Sequence, residues 1–394
     1  MNISVPKGFR LAVAAAAFKK TGRNDLALAL SDFPAASAGV FTRNLFKAAP
    51  VLVGQETLKA RMSARAVLIN SGQANACTGP EGFRRCEQSR TLAGAAFGID
   101  PADILPASTG VIGMQLNMEA FSRATPSLAQ NIGQAGIEDF AAAIMTTDAF
   151  PKFCGESLDF AGKKVLLAGV AKGAGMICPN MATMLSAVFC DAEVQTPDWR
   201  AMFKRAVDLS FNRVSVDDDT STNDTLYGLA NGASGVRVAG PDLERLEEAL
   251  VRVLKDLAYK LVQDGEGASK VLHIQVRGAS GAADAELAAR TVGRSQLVKT
   301  AMYGKDANWG RVICALGRSG ASFNPDEVSF TFCGVELFSQ GRPTDSDFDS
   351  LLKEALEKRD LTLDISLGRG SGEYLLLASD LGHEYVSLNA DYRS

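Results

Sequence analysis

Leucines recur at Leu243, Leu246, Leu250, Leu254, Leu257 and Leu261, behind Pro241-Asp242 and ahead of Gly265. That three-to-four-residue spacing predicts one amphipathic helix from Asp242 to Gln263. Thr196-Pro197-Asp198 opens a second helix carrying Met202, Phe203, Ala206 and Val207, with proline in its first turn. Phe348, Leu351, Leu352, Ala355 and Leu356 mark a third over about 347–358. Elsewhere the period is two. Leu361, Leu363, Ile365 and Leu367 alternate with Thr362, Asp364 and Ser366, and Val328, Phe330 and Phe332 alternate similarly. His273 falls in a like run, Val271 to Val276, on one face with Val271 and Gln275. These runs predict strands with one buried and one more polar face. Lys163–Val170 and Thr183–Phe189 are more evenly apolar and predict buried strands. Helices and strands mix throughout, so the expected class is α/β or α+β, with layered sheets between helices. The small-residue stretch Arg277–Arg290 reads as a linker that opens a smaller C-terminal α/β domain.

The chain has 394 residues, enough for roughly two or three domains. Its 41 basic and 45 acidic side chains leave a net charge of -4, with no basic excess to meet nucleic-acid phosphates. The charge-free run Gly173–Cys190 contains Gly175, Pro179, Asn180, Thr183 and Ser186, which fit a packed turn and not a bilayer span. The apolar run Leu11–Phe18 ends at Lys19-Lys20 without a small-residue cleavage site, which argues against a signal peptide. Seven widely spaced cysteines with no CxxC fit reduced thiols in the cytoplasm. Only His273 and His383 are available, the latter in a Gly-His-Glu turn, and neither lies in a zinc-binding pattern. An enzyme of acyl chemistry with this composition finds its base elsewhere.

The Gly-rich turn Lys172-Gly173-Ala174-Gly175 lacks the third glycine of a dinucleotide fingerprint. It leads through a polar loop to Thr183, at the start of an apolar strand. On its own such a threonine is ordinarily a cap or a packed hydroxyl. It becomes a nucleophile if a base sits beside it, and a free α-amino group, with a pKa near ~8, is such a base. An internal threonine gains that amine only if the preceding peptide bond breaks. Ala182 is small enough to let the hydroxyl approach its carbonyl, for an N-to-O acyl shift followed by hydrolysis.

The stretch Gly169–Leu185, GVAKGAGMICPNMATML, resembles the signature of the glutamate N-acetyltransferase (ornithine acetyltransferase) family of arginine biosynthesis. Pro106–Gly113, Ile144–Asp148, Phe211–Asp217 and Asp219–Thr225 match further blocks. Asp264–Ala268, Leu297–Ala301, Asn308–Arg311 and Asn389–Tyr392 continue them in the family's order, over essentially the whole chain. Three departures stand out. Cys178 replaces the His or Ala of many relatives, Ser394 replaces a common Thr, and the segment 374–380 lacks a Gly-Cys pair before Asp380.

The resemblance implies a layered architecture like that of N-terminal-nucleophile hydrolases. It implies self-cleavage between Ala182 and Thr183 into chains 1–182 and 183–394 that stay together, as a heterotetramer of two of each. Thr183 would then carry acetyl from N-acetylornithine to glutamate by ping-pong transfer. Thr109 and Gly110 match the oxyanion positions; Thr147, Lys172, Thr183, Glu266, Asn389 and Ser394 match the substrate-binding ones. Lys172 suits a substrate carboxylate and Glu266 the ornithine amine. The acidic run Asp217-Asp218-Asp219 lacks the glycine and final glutamate of a calcium loop, and with Thr220–Thr222 it reads as a capped turn that shapes the site. No metal, cofactor, nucleic acid or membrane is implied. Whether acetyl-CoA is a second donor stays open at this stage. So do a specialised acyltransferase, an amidohydrolase that gives the acyl group to water, and a non-catalytic relative.

Overall fold

The computed structural model describes residues 3–18, 22–177 and 184–391. Two compact units divide the described residues: those up to 212 with 219–261, and 213–218 with 262–391.

In chain order, the strands up to residue 230 are β1 (Phe9–Ala14), β2 (Leu26–Phe41), β3 (Ser63–Gln73), β4 (Ile104–Val111), β5 (Lys152–Phe160), β6 (Lys163–Lys172), β7 (Leu185–Cys190), β8 (Val214–Ser215) and β9 (Thr225–Ala230). All but β8 form the first unit's sheet, in the order β4-β3-β2-β9-β7-β6-β5, with β1 paired to β2. Its helices are α1 (Ala49–Ala60), α2 (Gly79–Phe97), α3 (Met118–Gln130), α4 (Ile137–Ala143), α5 (Thr196–Asp208) and most of α6 (Asp242–Gln263).

These strands read as apolar runs because both faces of the sheet are covered. Leu26, Leu28, Leu30, Ala66 and Leu68 pack with Ala93 of α2 and with Phe121 and Leu128 of α3. The alternate residues Ala27, Ala29, Val67 and Ile69 join Val170, Ala187 and Phe140 of α4 on the other face. Helix α5 fits closely on β9: a Cβ at Gly228 would stand 2.4 Å from the Phe203 ring, and Trp199 donates its indole N–H to the Gly228 carbonyl at 3.0 Å. In α6, Leu246, Leu250, Leu254, Leu257 and Leu261 are fully buried, as the spacing predicts.

The second unit adds β10 (Val271–Ala279), β11 (Ser329–Phe332), β12 (Val335–Ser339), β13 (Arg342–Pro343), β14 (Asp360–Ser366) and β15 (Gly372–Ser379), ordered β13-β12-β11-β14-β10-β15-β8. Helices α7 (Ala282–Arg294), α8 (Gln296–Tyr303), α9 (Trp309–Gly317), α10 (Phe348–Glu357) and α11 (His383–Asp391) complete it. One face of the sheet is buried, with Leu272, Ile274, Val276, Leu361, Leu363 and Ile365 under α7 and α9. The other carries His273 beside Asp360 (2.8 Å) and Arg277 beside Asp364 (2.9 Å).

Two sequence expectations are corrected. Arg277–Arg290 is not a linker: it is the end of β10 and most of α7, and the units divide elsewhere. Its alanines are small because α7 sits close to the sheet: Ala285, Ala288 and Ala289 are core, and a Cβ at Gly293 would meet Leu376 at 2.5 Å. His383 opens helix α11 and is not in a turn. The altered segment 374–380 packs normally, with Leu376 and Ala378 fully buried. No helix among the described residues is long and apolar enough to cross a membrane.

Candidate active site

Strands β3 and β4 run parallel, with Ser71 opposite Thr109 and Gly72 opposite Gly110. Ser108-Thr109-Gly110 thus lies at the end of β4. Gly110 has φ +128°, and a Cβ there would lie 2.2 Å from the Gly72 carbonyl carbon; only glycine fits. Two amides lock the segment. Ser108 donates to Asn70 Oδ1 at 2.6 Å, and Asn223 donates to the carbonyls of Ser108 (2.8 Å) and Ala74 (2.6 Å).

Lys172 is the last residue of β6 and is 3% exposed. Its ammonium donates to Thr109 Oγ1 at 3.3 Å. Across the sheet Lys172 pairs with Leu185, so β7, the strand that follows Thr183 in sequence, begins opposite it. The oxyanion segment, the lysine and the start of β7 therefore share one end of the first unit's sheet.

Below Lys172 lies an ion pair that sequence reasoning did not single out. Asp148 Oδ1 accepts from Lys152 Nζ (2.7 Å) and from the Gly173 amide (2.6 Å); its other oxygen accepts from the Thr146 amide (2.9 Å). The Asp148 and Lys152 side chains are both fully buried. Burial opposes the charge on Asp148, but the Lys172 and Lys152 ammonium groups and the amide donors outweigh it and hold the carboxyl at about 2. Asp148 thus ties the segment carrying Thr147 to the turn after Lys172. Thr147 itself is half-buried just beyond α4.

A second buried carboxyl, Asp224, precedes β9 and accepts from the Met184 amide at 2.8 Å. For Asp224 the signal was a charge directly before the apolar strand β9. Around Asp217–Asp219, Asp218 pairs with Arg294 at 2.6 Å. Nearby, Ser221 Oγ accepts from the Asn223 amide, and Thr222 donates to Asn223 Oδ1. Among the described residues no cluster of three His, Cys, Asp or Glu has the arrangement of a metal site.

In the second unit, Glu266 sits in the turn after α6, and Asn389 lies in the last helix. Helix α11 holds the segment that carries Asn389, where a frayed end is the ordinary expectation. Asn389 Nδ2 donates to Glu266 Oε2 at 2.9 Å. The approach depends on Gly267: its φ is +68°, and a Cβ there would stand 2.4 Å from the Tyr385 amide nitrogen. Two of the expected substrate residues are thus brought together across 123 positions of sequence. Ala182, Thr183, Ser394 and Cys178 lie outside the described residues. Of the other cysteines, the thiols of Cys86 and Cys190 are pushed up to about 12 by burial, which leaves them inert as nucleophiles at neutral pH.

A family model for ArgJ matches residues 10–394. The arginine biosynthesis bifunctional protein ArgJ of Nitratidesulfovibrio vulgaris is 63% identical over 389 residues, 99% of each chain. That of Geobacter sulfurreducens is 45% identical over 398 residues, covering 100% of both. A solved ArgJ from Bacillus halodurans is 33% identical with a TM-score of 0.51, and the match covers 53% of this chain and 100% of that one. The chain belongs to the ArgJ family, arginine-biosynthesis enzymes that are the glutamate N-acetyltransferases its sequence blocks resemble.

Proposed function

We propose that the chain cuts itself between Ala182 and Thr183 and then moves acetyl from N-acetylornithine to glutamate through acetyl-Thr183. The Thr183 hydroxyl attacks the acetyl carbonyl while its own α-amine takes the proton. The C–N bond to ornithine breaks, and the departing nitrogen takes a proton. Glutamate's neutral amine then attacks acetyl-Thr183; the ester C–O bond breaks, the amine's proton passes through the Thr183 α-amine to the Thr183 oxygen, and N-acetylglutamate leaves. Thr109 Oγ1 and the Gly110 amide stabilise the oxyanion in both halves, and one such donor is worth about 3 kcal/mol. Lys172 and Thr147 hold a substrate carboxylate, while Glu266, Asn389 and Ser394 bind the amino-acid portion, Glu266 meeting its amine. None of these steps calls for a metal or cofactor. Acetyl-CoA serves as a second donor, in line with the word bifunctional in the relatives' names. The layered architecture is that of an N-terminal-nucleophile enzyme, the products 1–182 and 183–394 assemble two and two, and the enzyme works in the cytoplasm.

The observation that carries this reading is the buried Lys172–Thr109 contact at 3.3 Å, at the sheet end where β7 begins. It puts a cation and a hydroxyl donor beside the strand that follows Thr183. The test is mass spectrometry of purified protein with N-acetylornithine and no glutamate. Two chains should appear, the C-terminal one starting at Thr183 and carrying an acetyl group there; Thr183→Ala should stay one inactive chain. Active protein in one piece overturns the reading. A parallel assay with acetyl-CoA as sole donor tests the second activity.

A further inference from the structure

Strand β4 is an edge strand of the first unit's sheet, so every second carbonyl along it faces no neighbouring strand. The carbonyls of Pro106 and Ser108 stand two residues apart and point the same way. Side chains meet both. Tyr227 donates its hydroxyl to Pro106 at 2.9 Å, and Asn223 donates an amide hydrogen to Ser108 at 2.8 Å. Asn223 uses its amide in full. The second hydrogen goes to the Ala74 carbonyl at 2.6 Å, just past the end of β3. The oxygen accepts from the Thr222 hydroxyl at 2.6 Å, and Ser221 Oγ holds the Asn223 backbone N–H at 3.0 Å. A flipped amide would set its oxygen against two carbonyls, so Thr222 fixes the one orientation that bonds them. The residue is buried, where a lost partner is costly.

One side chain thus ties the chain after β3 to the residue before Thr109, close to where Gly110 lies against Gly72. The Ser108 carbonyl and the Thr109 N–H belong to a single planar peptide unit. Pinning that oxygen fixes the plane from which the Thr109 side chain leaves and from which the backbone runs on to the Gly110 amide. Asn70 also holds Ser108, at 2.6 Å, but through the hydroxyl and not through the peptide. We infer that Asn223 is the positioning residue of the oxyanion segment. Through the Ser108 and Ala74 carbonyls it sets the direction of the Thr109 hydroxyl and the Gly110 N–H, and it touches no substrate itself. This rests on the proposed oxyanion role of Thr109 and Gly110. A residue from beyond the proposed cut then aims the donors that lie before it.

The test records chain masses, melting temperature, and kcat and KM for acetyl transfer from N-acetylornithine to glutamate. It compares wild type with Asn223→Ala, Thr109→Ala, the double variant, Thr222→Val and Tyr227→Phe. The wild type should be cleaved, and cleaved Thr109→Ala should lose about a hundredfold in kcat. An uncleaved wild type, or a cleaved Thr109→Ala with full kcat, sinks the proposed function and this inference with it. Cleaved Asn223→Ala should lose roughly tenfold or more in kcat, with KM within about twofold. Because it acts largely through Thr109, the double variant should lose less than the product of the two single losses, by about fivefold or more. Losses that multiply, or an unmoved kcat in cleaved Asn223→Ala, overturn the inference and leave the proposed function standing. Tyr227→Phe frees the Pro106 carbonyl and should lower the melting temperature with kcat within about twofold. An equal fall in kcat there makes any anchor of β4 sufficient and also overturns the inference. Should Asn223→Ala or Thr109→Ala not fold or not be cleaved, Thr222→Val decides. It removes only the hydroxyl that orients the amide, and kcat should fall about threefold or more at unchanged KM; an unchanged kcat overturns the inference.

Discussion

Single side chains in this molecule carry charge where the sequence looks apolar. Lys152 and Asp148 are fully buried as a pair. A buried pair gives little net stability, but breaking one is costly, because the other charge stays in place. Asp148→Asn should therefore lower unfolding free energy by about 3–5 kcal/mol in urea denaturation. The pH dependence has a fixed sign. The folded carboxyl titrates at about 2, below the unfolded value near ~3.9. Its stabilisation is present above about pH 4 and is lost as pH falls toward 2. Wild-type stability should fall through that window, and Asp148→Asn should lose that part of the slope. Lys172→Met tests the neighbouring cation: acetyl transfer should drop on the order of a hundredfold in kcat/KM, with the circular dichroism spectrum unchanged.

At the level of strands and helices, two glycines decide whether pieces of the site meet. Gly110 allows β4 to run against β3 with its backbone against Gly72. Gly110→Ala forces a Cβ into that carbonyl and strains a φ of +128°, so activity should vanish and the melting temperature should drop by several degrees. Helix α11 presents the opposite case. Its Asn389–Glu266 hydrogen bond is an exposed one. Exposed polar contacts are worth little to stability. Asn389→Ala should leave the unfolding midpoint within experimental error while raising KM for the acyl donor roughly tenfold. A large stability loss without a KM change would assign α11 to folding alone.

At the scale of the whole chain, the order of strands matters more than their number. Strands β7 and β9 come after residue 183, yet both lie inside the first unit's sheet, between β2 and β6 from before it. Antiparallel β6–β7 pairing runs from Leu167–Cys190 to Lys172–Leu185, and β2–β9 pairing from Ala36–Ala230 to Phe41–Thr225. A cut between Ala182 and Thr183 leaves both ladders in place. The two products should co-elute in native size-exclusion chromatography and part only in denaturant; separation in buffer alone would contradict the strand order.

Local pattern alone determined a good deal here. Leucine spacing predicts α6, alternation predicts β11 and β14, and the motif blocks place the chain in its family, because period and turn chemistry depend on near neighbours. The small-residue run Arg277–Arg290 misled because close helix-on-sheet packing selects alanine and glycine just as a linker does. What only tertiary structure decided was convergence. Thr109 meets Lys172 from 63 residues away, Asn223 clamps Ser108 from 115, and Asp224 finds the Met184 amide from 40. A buried charge or amide is tolerable only beside its partner, and which partner the fold brings is set by strand order, which no local period encodes.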